Sequence, residues 1–258
     1  MATERAPDGR TVLVRVVSAP PITLRQTGPA TVHLVSTAAG PLGGDRLALD
    51  LDVAPHTTLE VGSVAGTLVL PGHGASEMVV TARVGAGARL RFAPEPTVLA
   101  AGCDHRLVAR LALEPDADVL WREEIVFGRH GEQPGRCHAR FDATCAGRPL
   151  LRQEFAVGDP WLDTSPAVYG RAGCAGTTFL TMTAKEPLVA DGVAVLPLAT
   201  SGTLVSALAA DAVELRARLE WGERAASDDG DAPPRTAASD DGDAPVADSG
   251  RDREPGLQ

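Results

Sequence analysis

Apolar and polar residues alternate over several long stretches of the chain. From Leu47 to Val53, every second residue is leucine or valine, and the residues between them are alanine or aspartate. Because alternate residues of a strand point to opposite faces of a sheet, this period of two predicts half-buried β-strands. The same alternation occupies 78–84, 107–113 and 137–145, and apolar segments at 31–37, 119–127, 177–184 and 193–198 predict further strands.

A short motif recurs at intervals of roughly 30 residues, a spacing typical of repeat architectures. Segments that begin at positions 53, 84, 113 and 145 each consist of a predicted strand, a turn rich in glycine, proline or alanine, and a second strand. Stacked two-strand layers of this kind form either a β-solenoid or a sandwich of successive hairpins. We therefore expect a mainly β, β-helix-like body of solenoid-like stacked strands.

Helical periodicity is convincing only near the end of the chain, from Asp211 to Trp221. Asp211 is suited to cap the N-terminus of that helix. Residues 158–176 contain two prolines and several glycines and predict an irregular loop, which we expect Trp161 and Tyr169 to hold against the core. The fold class is thus mainly β, with one or two short helices near the C-terminus.

The composition changes after Gly222. Residues 223–258 are nearly free of large apolar side chains, and Ala226–Pro233 is repeated at Ala238–Pro245. A segment of this composition buries too little surface to offset its backbone entropy. We predict a β domain over residues 1–222 and a disordered acidic tail, rich in Asp, Gly and Pro, over residues 223–258, where most of the net charge of −10 lies.

Charge and cysteine content exclude several classes of protein. The body is only mildly acidic, which argues against nucleic acid as a partner. The first ten residues lack the apolar core of a signal peptide, and no apolar run approaches the ~20 residues of a membrane span. We expect a cytoplasmic protein without membrane contact and with reduced thiols, because the cysteines show neither metal-type nor disulfide-type spacing: Cys103, Cys137, Cys145 and Cys174.

The glycine-rich turn Ala39–Asp45 lies between two predicted strands. A phosphate-binding loop would be followed by a helix whose N-terminus faces the anion, and here a strand follows. We therefore interpret the turn as a tight connection, with a positive φ at Gly43 or Gly44 and with Asp45 bonding local amides.

Two enzyme classes lack their motifs. No Gly-x-Ser-x-Gly elbow is present. Cys137 and His138 are neighbours on a predicted strand and face opposite sides, whereas Cys103 and His105 can share a face without a second pair to complete a zinc site. A metal-dependent enzyme and a stand-alone β-solenoid or sandwich binding module, for instance for carbohydrate, stay open as alternatives.

Glu123 and Glu124 follow Trp121 in an otherwise apolar segment. They face opposite sides of the predicted strand, so one of them is expected to be buried or to face a channel. The common alternative for a buried acid is an ion pair, here with Arg122 or Arg129.

The turn Gly128–Glu132 presents both charge signs on a compact surface. It connects the strands predicted at 119–127 and 137–145. Arg129 and His130 make it a candidate recognition loop for a partner.

Three motifs follow one another along the chain: Ala39–Asp45 with its alternating strand, Leu90–Phe92 with Pro94-Glu95-Pro96, and Gly128-Arg129 with Gly131-Glu132. In this order they resemble the UreD family of urease accessory proteins, called UreH in some organisms. The first is similar to the family's Gly-Gly-apolar-x-Gly-Gly-Asp turn, and the others to its leucine–aromatic–proline stretch and its Gly-Arg…Gly-Glu turn. The resemblance covers about Leu13 to Val157.

The resemblance implies a β-helix-like body and no catalysis. It implies a scaffold that binds apo-urease (UreABC) with UreF and the GTPase UreG and helps to deliver Ni²⁺, which it handles transiently without a tightly bound cofactor. An internal polar tunnel is proposed for the metal in this family. Asp45 and Glu123 match acidic family positions and are candidates for the nickel path, with Glu132 as a further one.

The chain departs from the family pattern in places. Ala39 replaces the first glycine of the turn, and Arg46 stands where an acid is common. The similarity thins beyond Val157, and the acidic repeat tail is not a feature of the family.

Overall fold

The structure is a computed structural model that describes residues 1–227. The predicted disordered tail lies outside the described residues from position 228 onward. The first half of the chain forms β1 (Ala2–Arg5), β2 (Thr11–Arg15), β3 (Ile22–Gln26), β4 (Thr31–Ser36), β5 (Arg46–Val53), β6 (Thr58–Ser63), β7 (Thr67–Val69), β8 (Ser76–Val84) and β9 (Arg89–Phe92). The second half forms β10 (Thr97–Leu99), β11 (Asp104–Leu113), β12 (Asp118–Val126), β13 (Arg136–Cys145), β14 (Arg148–Val157), α1 (Pro160–Asp163), β15 (Cys174–Leu180), β16 (Leu188–Ala190), β17 (Val193–Pro197), β18 (Thr203–Ala209) and α2 (Ala212–Ala226).

Two sheets enclose the main core. The smaller sheet has seven strands in the order β14-β13-β11-β8-β5-β1-β2. The larger has eleven, in the order β16-β17-β18-β15-β12-β9-β6-β4-β3 with β7 and β10 beside this path. Strands one coil apart pair in parallel, as β5 does with β8 and β8 with β11. Parallel pairing between coils that alternate between two sheets is a β-solenoid, so the solenoid-like prediction is confirmed.

The predicted repeat marks the corners at which the chain leaves the smaller sheet. In three successive corners the equivalent residue adopts the left-handed conformation: His56 (φ 56°), Gly87 (φ 61°) and Asp116 (φ 60°). Backbone amides at the corners donate hydrogen bonds to carbonyl oxygens of the preceding coil. For example, the Gly85 N–H donates to the Val53 carbonyl oxygen at 2.8 Å. The repeat is therefore a stacking unit rather than a chance similarity of turns.

The prediction that the segment beginning at Cys145 is a fourth copy of the repeat is wrong. After Cys145 the chain reverses through Ala146 (φ 47°) and Gly147 (φ 75°), and β14 pairs antiparallel with β13 in the same sheet. Two consecutive positive φ angles are the requirement of a type I′ hairpin. The turn chemistry thus overrides the resemblance to the three corners and ends the parallel stack.

The turn Ala39–Asp45 is stacked on the corner of the next coil. A Cβ atom on Gly43 would lie 2.6 Å from the backbone of Gly72, so this close approach requires glycine. Positive φ angles occur at Gly40 (139°) and Gly44 (96°). The predicted positive φ is confirmed at Gly44, whereas Gly43 is required for space.

Helix α2 covers the outer face of the larger sheet, where it packs on β15, β17 and β18. Asp211 caps it as predicted, since its carboxylate accepts hydrogen bonds from Val213 N–H and Glu214 N–H at 2.9 Å each. Leu215 and Leu219 are fully buried against the sheet and form a second core there.

The helix continues to Ala226 and crosses the boundary predicted at Gly222. Glu223 belongs to the folded body, because its carboxylate accepts hydrogen bonds from Arg122 Nε (2.8 Å) and Nη2 (2.6 Å). The Thr178 hydroxyl donates to the same carboxylate at 2.8 Å. An ion pair with a buried arginine can therefore make a charged residue part of the folded domain. Such a pairing cannot be inferred from the composition of the segment.

Tyr169 anchors the irregular segment 158–173. Its ring packs edge-on against Phe127 at a centroid distance of 5.0 Å, and its hydroxyl donates to the Ala156 carbonyl at 2.8 Å. The same expectation for Trp161 is wrong: its side chain lies on the four-residue helix α1 and is 88% exposed. Tyr169 occupies the apolar site beside Phe127, and α1 projects outward.

Arg122→Met is expected to lower the free energy of unfolding by about 3–5 kcal/mol, because it leaves the buried Glu223 carboxylate without its arginine and leaves Glu124 with Arg216 alone. Arg89→Met is the matched control, since Arg89 pairs with Asp118 at 2.7 Å with both side chains more than half exposed. We expect a loss below about 1 kcal/mol there. Urea denaturation followed by tryptophan fluorescence measures both, and equal losses would contradict the role of the buried pair.

Candidate functional site

The larger sheet is interrupted beside the middle of β12. Asp118–Trp121 pairs with β9, and Ile125–Val126 pairs with β10. Within the described residues, 122–124 have no strand partner on that side. On the other side they pair with β15 without interruption.

Two short segments produce this interruption. Residues 93–96 separate β9 from β10, and residues 64–66 separate β6 from β7 in the neighbouring coil. Pro94 and Pro96 lie in the first segment, and proline cannot donate a hydrogen bond to a sheet. We call residues 64–66 and 93–96 together the sheet break.

A channel enters the molecule at the sheet break. Its mouth lies at the exposed residues Ser36 and Ala65, and its inner end lies between the two sheets at Glu123 and His105. Its volume is about 80 Å³, which is enough to hold water. Its polar lining consists of Ser36, Ser63, Thr67, Glu95, Thr97, His105, Glu123 and Glu124.

Glu123 projects into the space between the sheets. Its Oε1 accepts a hydrogen bond from Trp121 Nε1 at 3.1 Å. Burial raises the pKa of Glu123 to about 7, and the bond from Trp121 offsets only part of this rise. Glu123 is one of the residues that line the channel. A buried acid facing a channel, as the sequence suggested, is therefore present.

The predicted ion pair belongs to Glu124 and not to Glu123. Glu124 Oε1 accepts a hydrogen bond from Arg216 Nε at 2.7 Å and lies 3.8 Å from Arg122 Nη1. Burial raises the pKa of Glu124 although both arginines lower it. Strand alternation explains the difference, because Arg122 and Glu124 face α2 while Glu123 faces inward.

Arg216 ties α2 to the rim of the sheet break. Its guanidinium nitrogens lie 3.3 Å from both carboxylate oxygens of Glu95 while its Nε binds Glu124. Glu124 Oε2 is buried and has no hydrogen-bond partner among residues 1–227. The helix and the channel wall therefore share one charge network.

His105 lies on β11 in the smaller sheet, at the inner end of the channel. The residue is 2% exposed, and its Nδ1 lies 2.9 Å from the Ser76 hydroxyl oxygen. Burial lowers the pKa of His105 to about 4, so the imidazole is neutral at neutral pH.

Asp45 closes its own turn. Its Oδ2 accepts the Leu42 N–H at 2.9 Å, and its N–H donates to the Leu42 carbonyl at 3.0 Å, as the sequence predicted. The neighbouring Pro41 lines the channel, whereas Asp45 does not belong to the lining.

Glu132, Arg129 and His130 lie together in an open cleft of about 590 Å³ on the outside of the protein. We call it the outer cleft; its walls also include parts of the 158–173 segment and the start of α2. Arg129 Nε donates to Glu132 at 2.9 Å, and this pair lowers the pKa of Glu132 to about 2.

The three predicted nickel-path residues are thus not brought together. Glu123 lies in the channel, Asp45 in the turn and Glu132 in the outer cleft. Within residues 1–227 there is no group of three or more His, Cys, Asp or Glu side chains placed to hold a metal ion. In the same part of the chain, no helix is long and apolar enough to cross a membrane.

Sequence reasoning missed two channel residues. In the sequence, Glu95 is recognised only as part of the Pro94-Glu95-Pro96 motif. An acid between two strand-breaking prolines nevertheless indicates a polar side chain at an interruption of a sheet. The spacing of His105 to Cys103 indicates only an incomplete zinc pair. Its alternation with Leu107 and Ala109 placed it on the inward face, and that placement pointed to a buried imidazole.

The comparisons with known proteins agree on one family. The family model for the UreD urease accessory protein matches residues 1–236. The urease accessory protein UreD of Frankia casuarinae is 42% identical, with 85% of this chain and 86% of the relative covered. Those of Parafrankia sp. and Streptomyces coelicolor are 41% and 37% identical, covering 82% and 83% of this chain and 82% and 90% of the relatives.

Glu123→Gln is expected to flatten the pH dependence of stability between about pH 4.5 and pH 7. Because the folded pKa of about 7 exceeds the ordinary 4.5, Glu123 supports folding fully below pH 4.5, and this support is lost as the pH rises through 7. The loss is on the order of 3 kcal/mol. Glutamine carries no charge and keeps an acceptor for Trp121.

Thermal unfolding of the wild type and the variant across this pH range provides the measurement. Glu132→Gln is the control: its folded pKa of about 2 places its titration at lower pH, so the wild-type slope should persist. An unchanged slope in Glu123→Gln would assign the dependence to another group.

Proposed function

This chain belongs to the UreD family of urease accessory proteins, and we propose that it is a non-catalytic scaffold in urease maturation. It binds apo-urease together with UreF and the GTPase UreG and helps to deliver Ni²⁺ to the urease active site. It handles the ion transiently and holds no cofactor tightly. The observation that carries the proposal is the polar channel ending at Glu123 inside a β-solenoid.

A buried carboxyl without a cationic partner is costly, and a protein core gains nothing from it alone. Within residues 1–227, the only hydrogen bond of the Glu123 carboxyl comes from Trp121 Nε1. A divalent cation supplies the missing positive charge. The position of Glu123 is therefore suited to contact a divalent cation that passes through the channel.

The raised pKa of Glu123 suits transient binding. Near neutral pH the carboxyl is close to half protonated. It binds a cation by releasing its proton and releases the cation by taking the proton back.

The passage is closed beyond Glu123 in this conformation. On the far side lies a crevice too narrow for water, lined by Ala139, Arg140, Phe141, Gln153, Phe155 and Thr177. An ion crosses only if these side chains move. We assign that opening to the binding of partner proteins, which would couple delivery to assembly of the complex.

The outer cleft is the surface that best fits a partner. Arg129 and His130 line it, as the recognition-loop hypothesis requires. Trp161 and Val213 stand beside it with exposures of 88% and 82%. Tryptophan and arginine are both enriched in protein interfaces and among the residues that contribute most of the binding energy.

Glu123→Gln is expected to lower the nickel content of urease about 10-fold when the urease and accessory genes are co-expressed. The substitution removes the negative charge in the channel and leaves the fold intact. Glu114→Gln, at an exposed corner acid, is the matched control and should leave nickel content unchanged. Asp45→Asn, which keeps the bond to Leu42, tests the second predicted path residue.

Metal analysis of purified urease gives the readout. Full nickel loading by Glu123→Gln, in a complex of normal composition, would refute the channel as the route. If deletion of the whole chain left the nickel content of urease unchanged, the proposed role in urease maturation would be refuted.

Trp161→Ser is expected to reduce co-purification of the partner proteins at least several-fold without a change in Tm, because the indole makes little contact within its own chain. Val189→Ser is the control, since Val189 is 80% exposed on edge strand β16, away from the outer cleft. Equal recovery of partners with both variants would move the docking surface elsewhere.

A further inference from the structure

We propose that His105 is a ligand for a divalent first-row transition-metal ion at the inner end of the channel and that it binds through Nε2. This inference rests on the proposed function and deepens it. It assigns a nitrogen ligand to a path for which the sequence offered only carboxylates.

The hydrogen bonds around Ser76 accommodate the imidazole tautomer that carries its proton on Nδ1. The Ser76 hydroxyl oxygen lies 2.9 Å from His105 Nδ1 and 3.4 Å from the carbonyl oxygen of Asp104. A hydroxyl has a single proton, and a carbonyl oxygen can only accept. When the hydroxyl donates to Asp104, it accepts from Nδ1–H, and Nε2 then carries a lone pair.

Nε2 is left without a protein partner. The hydrogen bond of the ring within residues 1–227 is the one at Nδ1. His105 as a whole is 2% exposed, and it contributes to the channel lining. Nε2 is not among the fully buried unpartnered side-chain atoms of residues 1–227, so a ligand that enters the channel lined by His105 has access to this nitrogen.

The arrangement matches the way proteins prepare a histidine for a metal. Metal-binding histidines usually bond their other ring nitrogen to a carbonyl, carboxylate or water, which fixes the tautomer and the orientation. Ser76 performs this task here, on the strand paired with β11. The neutral imidazole is the form that binds metal.

The lining identifies the class of ion. Glu123 borders the same channel from the opposite sheet and supplies an anionic oxygen. A nitrogen and a carboxylate together favour Ni²⁺, Co²⁺, Zn²⁺ or Cu²⁺ over Mg²⁺ and Ca²⁺, which prefer oxygen ligands. Two side chains with water completing the coordination hold an ion less firmly than a full protein ligand set, which agrees with transport.

The tautomer is tested first, in the metal-free, full-length chain. The ¹⁵N chemical shifts of the His105 ring report which nitrogen carries the proton. We expect the proton on Nδ1 and a bare Nε2. A proton on Nε2 would overturn the inference.

Cobalt(II) serves as the probe for metal binding, because it is paramagnetic. A shifted, exchangeable Nδ1–H signal is expected when Co²⁺ is added, as it arises from a ring bound through Nε2. His105→Asn keeps an amide N–H for Ser76 and removes Nε2, so the signal should vanish and the Co²⁺ affinity should fall about 10-fold or more. Ser76→Ala keeps the ring and should weaken binding by up to about 10-fold.

His33→Asn is the matched control. His33 Nδ1 has a similar hydroxyl contact, 2.7 Å from Thr27 Oγ1, but His33 lies outside the channel lining. This variant should retain the signal and the affinity. Unchanged Co²⁺ binding in His105→Asn would overturn the inference, and if that variant failed to fold, Ser76→Ala and the tautomer would still decide.

The outcome is separable from the test of the proposed function. If the wild-type chain supports nickel loading of urease while His105→Asn binds Co²⁺ normally, only the His105 assignment is lost. If the chain binds Co²⁺ through His105 but deletion of the whole chain leaves the nickel content of urease unchanged, the proposed role in maturation is refuted. The assignment of His105 as a metal ligand is then still supported.

Discussion

Parallel hydrogen bonding between successive coils is the constraint on which the rest of this protein depends. It demands that every coil turn at the same place, which the stacked left-handed residues at His56, Gly87 and Asp116 achieve. It also demands close approach of backbones at the opposite edge, where Gly43 meets Gly72. Once these corners are fixed, the inward face of each strand is fixed too, because register and alternation are linked.

The channel exists because this bonding is interrupted in one place. The prolines around Glu95 prevent β9 from continuing into β10, so the middle of β12 loses a neighbour and a polar opening replaces it. The cost is a set of buried polar groups, among them Glu123, His105 and the free oxygen of Glu124. A protein that needed only stability would gain from closing this opening with apolar residues.

Helix α2 is bound to the same region by charge. Arg122 holds Glu223, and Arg216 joins Glu124 to Glu95 on the rim of the sheet break. These pairs are partly or fully buried, so losing one partner leaves the other charge uncompensated. The N-terminus of α2 also forms part of the outer cleft, which gives a physical connection between a surface where partners are proposed to bind and the wall of the channel.

The sequence by itself determined the mainly β class, the stacked corners, the Asp211 cap and the role of Asp45 in its turn, because these depend on local alternation and turn chemistry. It also indicated that one acid of the Glu123–Glu124 pair would be buried or would face a channel. Only the tertiary structure decided which acid, separated Asp45 and Glu132 from that channel, exposed Trp161, and placed His105 opposite Glu123. Those outcomes depend on residues far apart in the chain, such as Arg216 and Glu95, whose contacts no local pattern records.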